Sequence, residues 1–145
     1  MKTTIVLAAT LLLLGALTQN VGAQTAEKFP AAANGQITFV MPSKNIGCTF
    51  TPAGGTAVYK PFDGGPELSC DNIKPKYVRA VLTPKKIRTF NSVGDQDCCG
   101  VENVLKHGAR WSQGPFTCDS AESGLTCKRA DGRGFTIGPK GIKQL

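Results

Sequence analysis

The six cysteines are the residues whose number and spacing most clearly restrict the chemistry of this chain. They are Cys48, Cys70, Cys98, Cys99, Cys118 and Cys127. An even number of cysteines in an exported chain is typical of a disulfide framework. We predict the bonds Cys118–Cys127 and Cys48–Cys70, because the members of each pair would face one another across a hairpin.

Cys98 and Cys99 are adjacent and remain once these two bonds are assigned. Three pairings remain open. Cys98 and Cys99 bond to each other, they bond to cysteines outside the chain, or each bonds to a different strand by taking Cys48 or Cys70 as its partner. A bond between neighbouring cysteines is strained and therefore easily reduced, so a redox switch is one interpretation.

Neither a metal nor a cofactor is expected from the remaining residue types. Cys98 and Cys99 do not form a C-x-x-C pair, and His107 is the only histidine. Serine–histidine or cysteine–histidine catalysis would have to use His107, but the chain has no Gly-x-Ser-x-Gly nucleophile motif. We therefore predict no catalytic residue and interpret His107 as structural or exposed.

A pair of carboxylates could still support hydrolysis of a glycosidic bond. The candidates are Asp63, Glu67, Asp71, Asp95, Asp97, Glu102, Asp119, Glu122 and Asp131. Their spacing singles out no two of them, so a hydrolase that uses His107 or an acid pair is only the second class of function.

Basic residues are concentrated in one stretch, residues 74–88, which contains six Lys and Arg residues and no acid. Three of the six, Lys85, Lys86 and Arg88, follow Pro84, where the chain can change direction. We predict that these three form an anion-binding site. The alternative is a solvated face whose lysines protect an edge strand from pairing.

The first 23 residues are predicted to be a signal peptide, because a lysine precedes an apolar run and a small-x-small site ends at Ala23. Cleavage after Ala23 leaves 17 − 1 = 16 basic and 10 acidic residues, a net charge of +6. No later apolar run is long enough to span a membrane. We expect a flexible arm at residues 24–35 and one domain at residues 36–145.

Short apolar runs broken by Gly and Pro, without helical periodicity, predict an all-β domain, either an antiparallel sandwich or a partly closed barrel. The clearest part is a meander of residues 115–120, 125–129 and 133–138. Alternation places Cys118 opposite Cys127. A three-residue turn at 130–132 then pairs Cys127 with Phe135 and Leu125 with Ile137, because this register alone keeps the apolar residues on one face.

The two cysteine pairs lie in similar surroundings. Residues 45–48 followed by 67–70 resemble residues 115–118 followed by 124–127, since each gives a cysteine on one strand and Leu-x-Cys on the next. The connecting lengths differ greatly, so the similarity predicts only that each pair links its own hairpin.

Several spaced motifs resemble a family of small exported bacterial proteins classed as a domain of unknown function. They are Phe39 with Pro42-Ser43-Lys44-Asn45-Ile46-Gly47-Cys48, then Cys70-Asp71, Trp111, Gly114 to Ser120, Gly124 to Cys127, and Gly132 to Phe135. The resemblance implies a fold consistent with the one predicted above, and it implies no activity.

Together these features predict a secreted or periplasmic protein that binds rather than catalyses. Its basic charge favours an anionic envelope component, or another envelope protein, as partner. Nucleic acid is not expected, because no stacked aromatic pattern accompanies the charge. A secreted inhibitor or cationic antimicrobial is a further alternative.

Overall fold

A computed structural model describes residues 24–96 and 98–145 and shows an all-β sandwich, as predicted. The two sheets do not close into a barrel. The predicted signal peptide lies outside the described residues. Within the described part of the chain, no helix is long and apolar enough to cross a membrane.

Eleven strands follow one another along the described chain. They are β1 (Thr25–Glu27), β2 (Ile37–Val40), β3 (Ile46–Thr51), β4 (Glu67–Asn72), β5 (Val78–Leu82), β6 (Ile87–Phe90), β7 (Ala109–Gln113), β8 (Phe116–Ala121), β9 (Gly124–Arg129), β10 (Gly134–Gly138) and β11 (Gly141–Gln144). The first sheet is the antiparallel meander β2-β3-β4-β5-β6. The second is the meander β7-β8-β9-β10-β11, with β1 added in parallel to β7 at its edge.

The core lies between the two sheets and is centred on two disulfides. Cys48–Cys70 links β3 to β4, and Cys118–Cys127 links β8 to β9, as predicted. All four of these cysteines are buried. Aromatic rings surround the bonds: the Trp111 ring centroid lies 4.9 Å from that of Phe39 and 6.2 Å from that of Phe50.

The register predicted for the last meander is confirmed. Cys127 pairs with Phe135 and Leu125 with Ile137, and a three-residue turn connects β9 to β10. The preceding hairpin is tighter than predicted, since Ala121 pairs with Gly124 and leaves two residues in the loop instead of four.

The similarity between the two cysteine pairs extends over whole sheets. In each meander the second and third strands carry the disulfide, and the first strand places an aromatic residue beside it: Phe39 pairs with Cys48, and Trp111 with Cys118. When Cys70 is aligned with Cys127, the strand pairing of β4–β5–β6 has the same register as that of β9–β10–β11. The Thr-Pro-Lys-Lys-Ile sequence at residues 83–87 thus corresponds to Gly-Pro-Lys-Gly-Ile at 138–142.

Corresponding residues make reciprocal contacts across the core. The Asn72 side chain donates a hydrogen bond to the Gly138 carbonyl (3.0 Å), and its counterpart Arg129 donates one to the Thr83 carbonyl (3.3 Å). Thr83 and Gly138 are themselves counterparts. The segment that precedes each meander also pairs with the first strand of the other meander. β1, before the first meander, pairs with β7, and Val104, before the second, forms a parallel bridge to Val40 of β2. The sandwich therefore has an approximate twofold repeat.

Three local predictions require correction or addition. The segment expected to be a flexible arm, residues 24–35, contains β1, which pairs with the edge of the second sheet. The sequence also predicts a short strand at residues 57–59, between two Pro/Gly loops, but these residues lie in an irregular loop. Strand β11 was not predicted, because Ile142 is its only apolar residue and offers no alternation.

The Asn72 contact leads to a stability prediction. Asn72→Leu should lower the free energy of unfolding by about 1–3 kcal/mol, because the buried Gly138 carbonyl loses the Asn72 donor and the Asn45 amide loses one of its two acceptors. Urea denaturation measures this. Asn91→Leu, at an exposed loop position, is the control and should change stability by less than about 0.5 kcal/mol. Equal losses in the two variants would contradict the role of the cross-sheet bond.

Candidate functional site

Two long connections rise over the outer face of the first sheet and enclose a cavity of about 620 Å³, which we call the outer-face cavity. They are residues 52–66, between β3 and β4, and the described residues 91–96 and 98–104 of the connection between β6 and β7. The corresponding β8–β9 connection has only two residues outside the paired strands, so the second sheet has no such cover there. This difference makes the first sheet the candidate site.

The floor of the cavity consists of the outward-facing residues of β2 to β5. Since Cys48 and Cys70 point into the core, their neighbours along the strands point out. One row across the sheet contains three hydroxyls, because Thr38 pairs with Thr49 and Thr49 with Ser69. All three residues line the cavity and are half-buried.

The next row across the floor ends in a charged network. Arg79 donates two hydrogen bonds to the Asp71 carboxylate, from Nε at 2.6 Å and from one terminal nitrogen at 2.8 Å. Tyr77 donates a third to Asp71, at 2.8 Å, and Arg79 also donates to the Asp95 carbonyl at 2.9 Å. The network joins two neighbouring strands to the connection that covers them, and it neutralises the Asp71 and Arg79 charges locally.

A buried carboxylate holds the other covering connection on the sheet. Glu67, at the start of β4, accepts hydrogen bonds from the Tyr59 hydroxyl and from the Phe62 amide. Farther along, Thr83 donates to Asp63 at 2.6 Å, and this bond is the main cause that lowers the pKa of the Asp63 carboxyl. Residues 52–66 are therefore fixed by side-chain bonds at two points.

Cys98 and Cys99 are bonded to each other and form one wall of the cavity. Both sulfurs lie above Gly47: a β-carbon there would be 2.9 Å from each Sγ and 3.3 Å from a Val40 methyl. The backbone of Gly47 is not left-handed, so glycine is required here by the close approach of the disulfide. The alternative in which these cysteines bridge to other strands is not observed.

The described residues contain one cluster of potential metal ligands, Cys48, Cys70 and Cys127, whose sulfurs lie within 4.8 Å of one another. This proximity arises because the two core disulfides face each other. Sulfurs that are bonded in disulfides are not the thiolates that a zinc ion requires, so the cluster belongs to the core.

The residues of the hydrolase alternative are dispersed. His107 is exposed in the turn before β7 and is not among the residues that line the outer-face cavity. Of the acids named from the sequence, Asp71 and Asp95 line this cavity, whereas Asp119 and Asp131 form salt bridges with arginines elsewhere. Asp97 lies outside the described residues.

The three predicted anion-binding residues lie on the β5–β6 hairpin but face different surroundings. Lys85 and Lys86 are exposed in the turn, and Lys85 lines a depression together with Arg129 and Arg133 of the second sheet. Arg88 lies on the outer face, with its guanidinium carbon 3.2 Å from the centre of the Phe62 ring. Arg88 thus contacts the covering connection, whereas Lys85 lies beside Arg133, which the sequence did not indicate. Whether Lys85, Lys86 and Arg88 bind an anion stays a prediction.

Comparison with protein-family models, with curated proteins and with solved structures finds no match to this chain. The resemblance to a family of exported bacterial proteins therefore stays a prediction. The function has to be argued from the geometry.

The first prediction from this site concerns its two tyrosines, which are the only ones in the chain. Burial and the bond to Glu67 raise the pKa of Tyr59 from 10.0 to about 12, and burial with the bond to Asp71 raises the pKa of Tyr77 to about 12. In an absorbance titration the folded protein should form little tyrosinate near pH 10, whereas the denatured chain titrates there.

The sign of the accompanying stability change follows from the same shifts. Because both folded pKa values lie above the unfolded value, their contribution to stability is complete below about pH 10 and is lost between about pH 10 and 12. Tyr59→Phe should flatten this alkaline decline. Ordinary titration of both tyrosines near pH 10 in the folded protein would contradict the two hydrogen bonds.

A second prediction concerns Gly47. Gly47→Ala should displace the Cys98–Cys99 wall, because the added methyl would overlap both sulfurs. Reduction of this bond by dithiothreitol, followed by thiol labelling and peptide mapping, should then be faster than in the parent protein. Gly94→Ala is the control, since it has open space and an ordinary backbone. An unchanged rate in Gly47→Ala would show that the disulfide does not rest on the sheet.

Proposed function

We propose that this chain is an exported, non-catalytic binding module of a bacterial cell envelope, with weak affinity for anionic polymers or lipid surfaces. The observation that carries the proposal is the proximity of Lys85 and Arg133. Together with Lys86, the next residue in the turn, we call them the basic edge. These residues belong to turns of different sheets, and all three are exposed. Lys85 and Arg133 line the same depression, of about 270 Å³.

The charge balance supports an anionic partner. Three arginines, Arg79, Arg110 and Arg129, are occupied by salt bridges among the described residues. Among the described residues, Lys85 and Lys86 of the basic edge form no salt bridge. Two acids oppose these cations: Lys86, Arg88 and Lys85 lower the pKa of the Asp63 carboxyl, and Arg133 contributes to lowering the pKa of Asp131. Both carboxylates already accept hydrogen bonds, Asp63 from Thr83 and Asp131 from Arg129, and they partly offset the cations, so attraction at the edge should be weak rather than absent.

An exported setting is supported by the cross-links. The described residues hold three disulfides and no free cysteine. Such bonds form and persist in oxidising compartments. The basic charge and the cross-links together favour attachment at an anionic cell surface.

The basic edge can be separated from general charge by two matched variants. Lys85→Glu/Lys86→Glu/Arg133→Glu and Lys28→Glu/Lys106→Glu/Lys128→Glu each reverse three exposed cations. Each changes the net charge of the chain without its predicted signal peptide by 3 × 2 = 6, from +6 to 0. Arg88 is left in place, because its loss would also disturb the contact with Phe62.

On a dextran-sulfate matrix the basic-edge variant should elute at clearly lower salt than the control variant. Binding of the parent protein should weaken steeply with salt, because charges at a surface are screened over ~8 Å at physiological ionic strength. Circular dichroism checks that both variants are folded. Equal loss of retention in the two variants would show only that a basic protein meets an acidic matrix, and the basic edge would be rejected.

A further inference from the structure

We propose that the outer-face cavity binds an uncharged saccharide. This site is separate from the basic edge, and the inference does not depend on anion binding. Three observations carry it: a row of unpaired hydroxyls on the floor, a lining whose one arginine is neutralised by a carboxylate, and apolar walls against which a sugar ring can pack.

The hydroxyl row is the first observation. Among the described residues, no side-chain hydrogen bond is made by the hydroxyls of Thr38, Thr49 or Ser69. They lie side by side on paired strands and line the cavity. A hydroxyl both donates and accepts hydrogen bonds, so the row matches a ligand whose own groups are hydroxyls.

The second sheet provides an internal comparison. The residues that correspond to the outer face of β2 to β5 are paired with each other there: Arg110 with Asp119 at 2.6 Å, Ser112 with Thr117 at 3.1 Å, and Thr126 with Thr136 at 3.2 Å. The row is therefore satisfied internally in the second sheet. In the first sheet the hydroxyls of the row are left unpaired, while the neighbouring row holds the Asp71–Arg79 network.

The charges in the cavity exclude an anionic ligand. Arg79 is the cation among the lining residues, and its guanidinium is held by the Asp71 carboxylate. The other charged lining residue is Asp95. An incoming carboxylate or phosphate would thus meet a neutralised arginine and a second carboxylate, which disfavours it electrostatically.

The walls offer apolar surface above this polar floor. Tyr59 and Val58 line the cavity and remain 44% and 96% exposed. The Cys98–Cys99 bond and Val101 line the wall formed by the other connection. A pyranose ring presents C–H faces to such surfaces and hydroxyls at its edges, which suits apolar walls over a hydroxyl floor. The volume of about 620 Å³ is in the range of sites for small organic ligands.

The proposal is tested by calorimetric titration of the full folded protein with uncharged trisaccharides of glucose, of mannose and of N-acetylglucosamine. At least one should bind, and trigalacturonic acid, which carries carboxylates, should bind at least about tenfold more weakly. Amide chemical shifts should move at Thr49, Ser69 and Val101. Binding of none of the uncharged sugars, or preference for the acidic one, would overturn the proposal.

Matched variants test whether the sugar binds at the hydroxyl row on the floor of the cavity. Thr49→Val/Ser69→Ala removes two hydroxyls from the row and should weaken binding at least about fivefold. Thr117→Val/Thr126→Val removes two hydroxyls from the outer face of the second sheet and should leave affinity unchanged. Tryptophan fluorescence from the buried Trp111 confirms folding. Equal weakening by both variants would show that the sugar does not bind at this row.

Two further outcomes are decisive. Tighter binding of an uncharged Ser-Gly hexapeptide than of every saccharide would assign the cavity to peptides and overturn the proposal. Bound sugar should be recovered intact after long incubation, because the Asp71 oxygens accept three hydrogen bonds from Arg79 and Tyr77. Release of shorter sugars that stops in Asp71→Asn would instead support the site and overturn the non-catalytic assignment.

Discussion

Two disulfides meet at the centre of the sandwich, and the arrangement of both sheets depends on this contact. The sulfurs of Cys48, Cys70 and Cys127 lie within 4.8 Å of one another, so the bond of one hairpin packs directly on the bond of the other. Each bond joins two strands and thereby fixes their register. Because side chains alternate along a strand, a fixed register also decides which residues face outward. Thr49 and Ser69 lie on the cavity floor because the cysteines beside them lie in the core.

The approximate twofold repeat explains how one framework supports two different outer faces. Asn72 and Arg129 make equivalent contacts across the core, and the segments before the two meanders are exchanged between sheets. The outer faces differ both in their side chains and in the connections above them, whereas each meander keeps its core disulfide. Residues 52–66 are anchored through Glu67 on the outer face, outside the core that holds the disulfides. The cavity therefore lies on the outer face of the first sheet and is not a packing defect of the core.

The sequence was most informative where burial produces alternation. Phe116, Cys118, Leu125 and Cys127 are all fully buried, and their pattern predicts the strands, the disulfide and the turn that follows. Strand β1 lacks this signal, because a Thr-Ala-Glu segment joins an edge through its backbone while two of its three residues stay exposed. The same limit applies to the cavity. Alternation implies that Thr49 and Ser69 face outward, but no local pattern shows that residues 98–101 return to line the cavity above them.

The three disulfides differ in the exposure of their sulfurs, and this difference bears on the redox interpretation of Cys98 and Cys99. The four core cysteines are at most 4% exposed, whereas Cys98 and Cys99 are half-buried at the cavity wall. A reductant in solution therefore reaches the wall before the framework, since thiol exchange requires access to the sulfur. Opening this bond would leave both sheets cross-linked and would change only the surface above Gly47. Reduction of Cys98–Cys99 would thus alter the cavity wall while the two core disulfides stay in place.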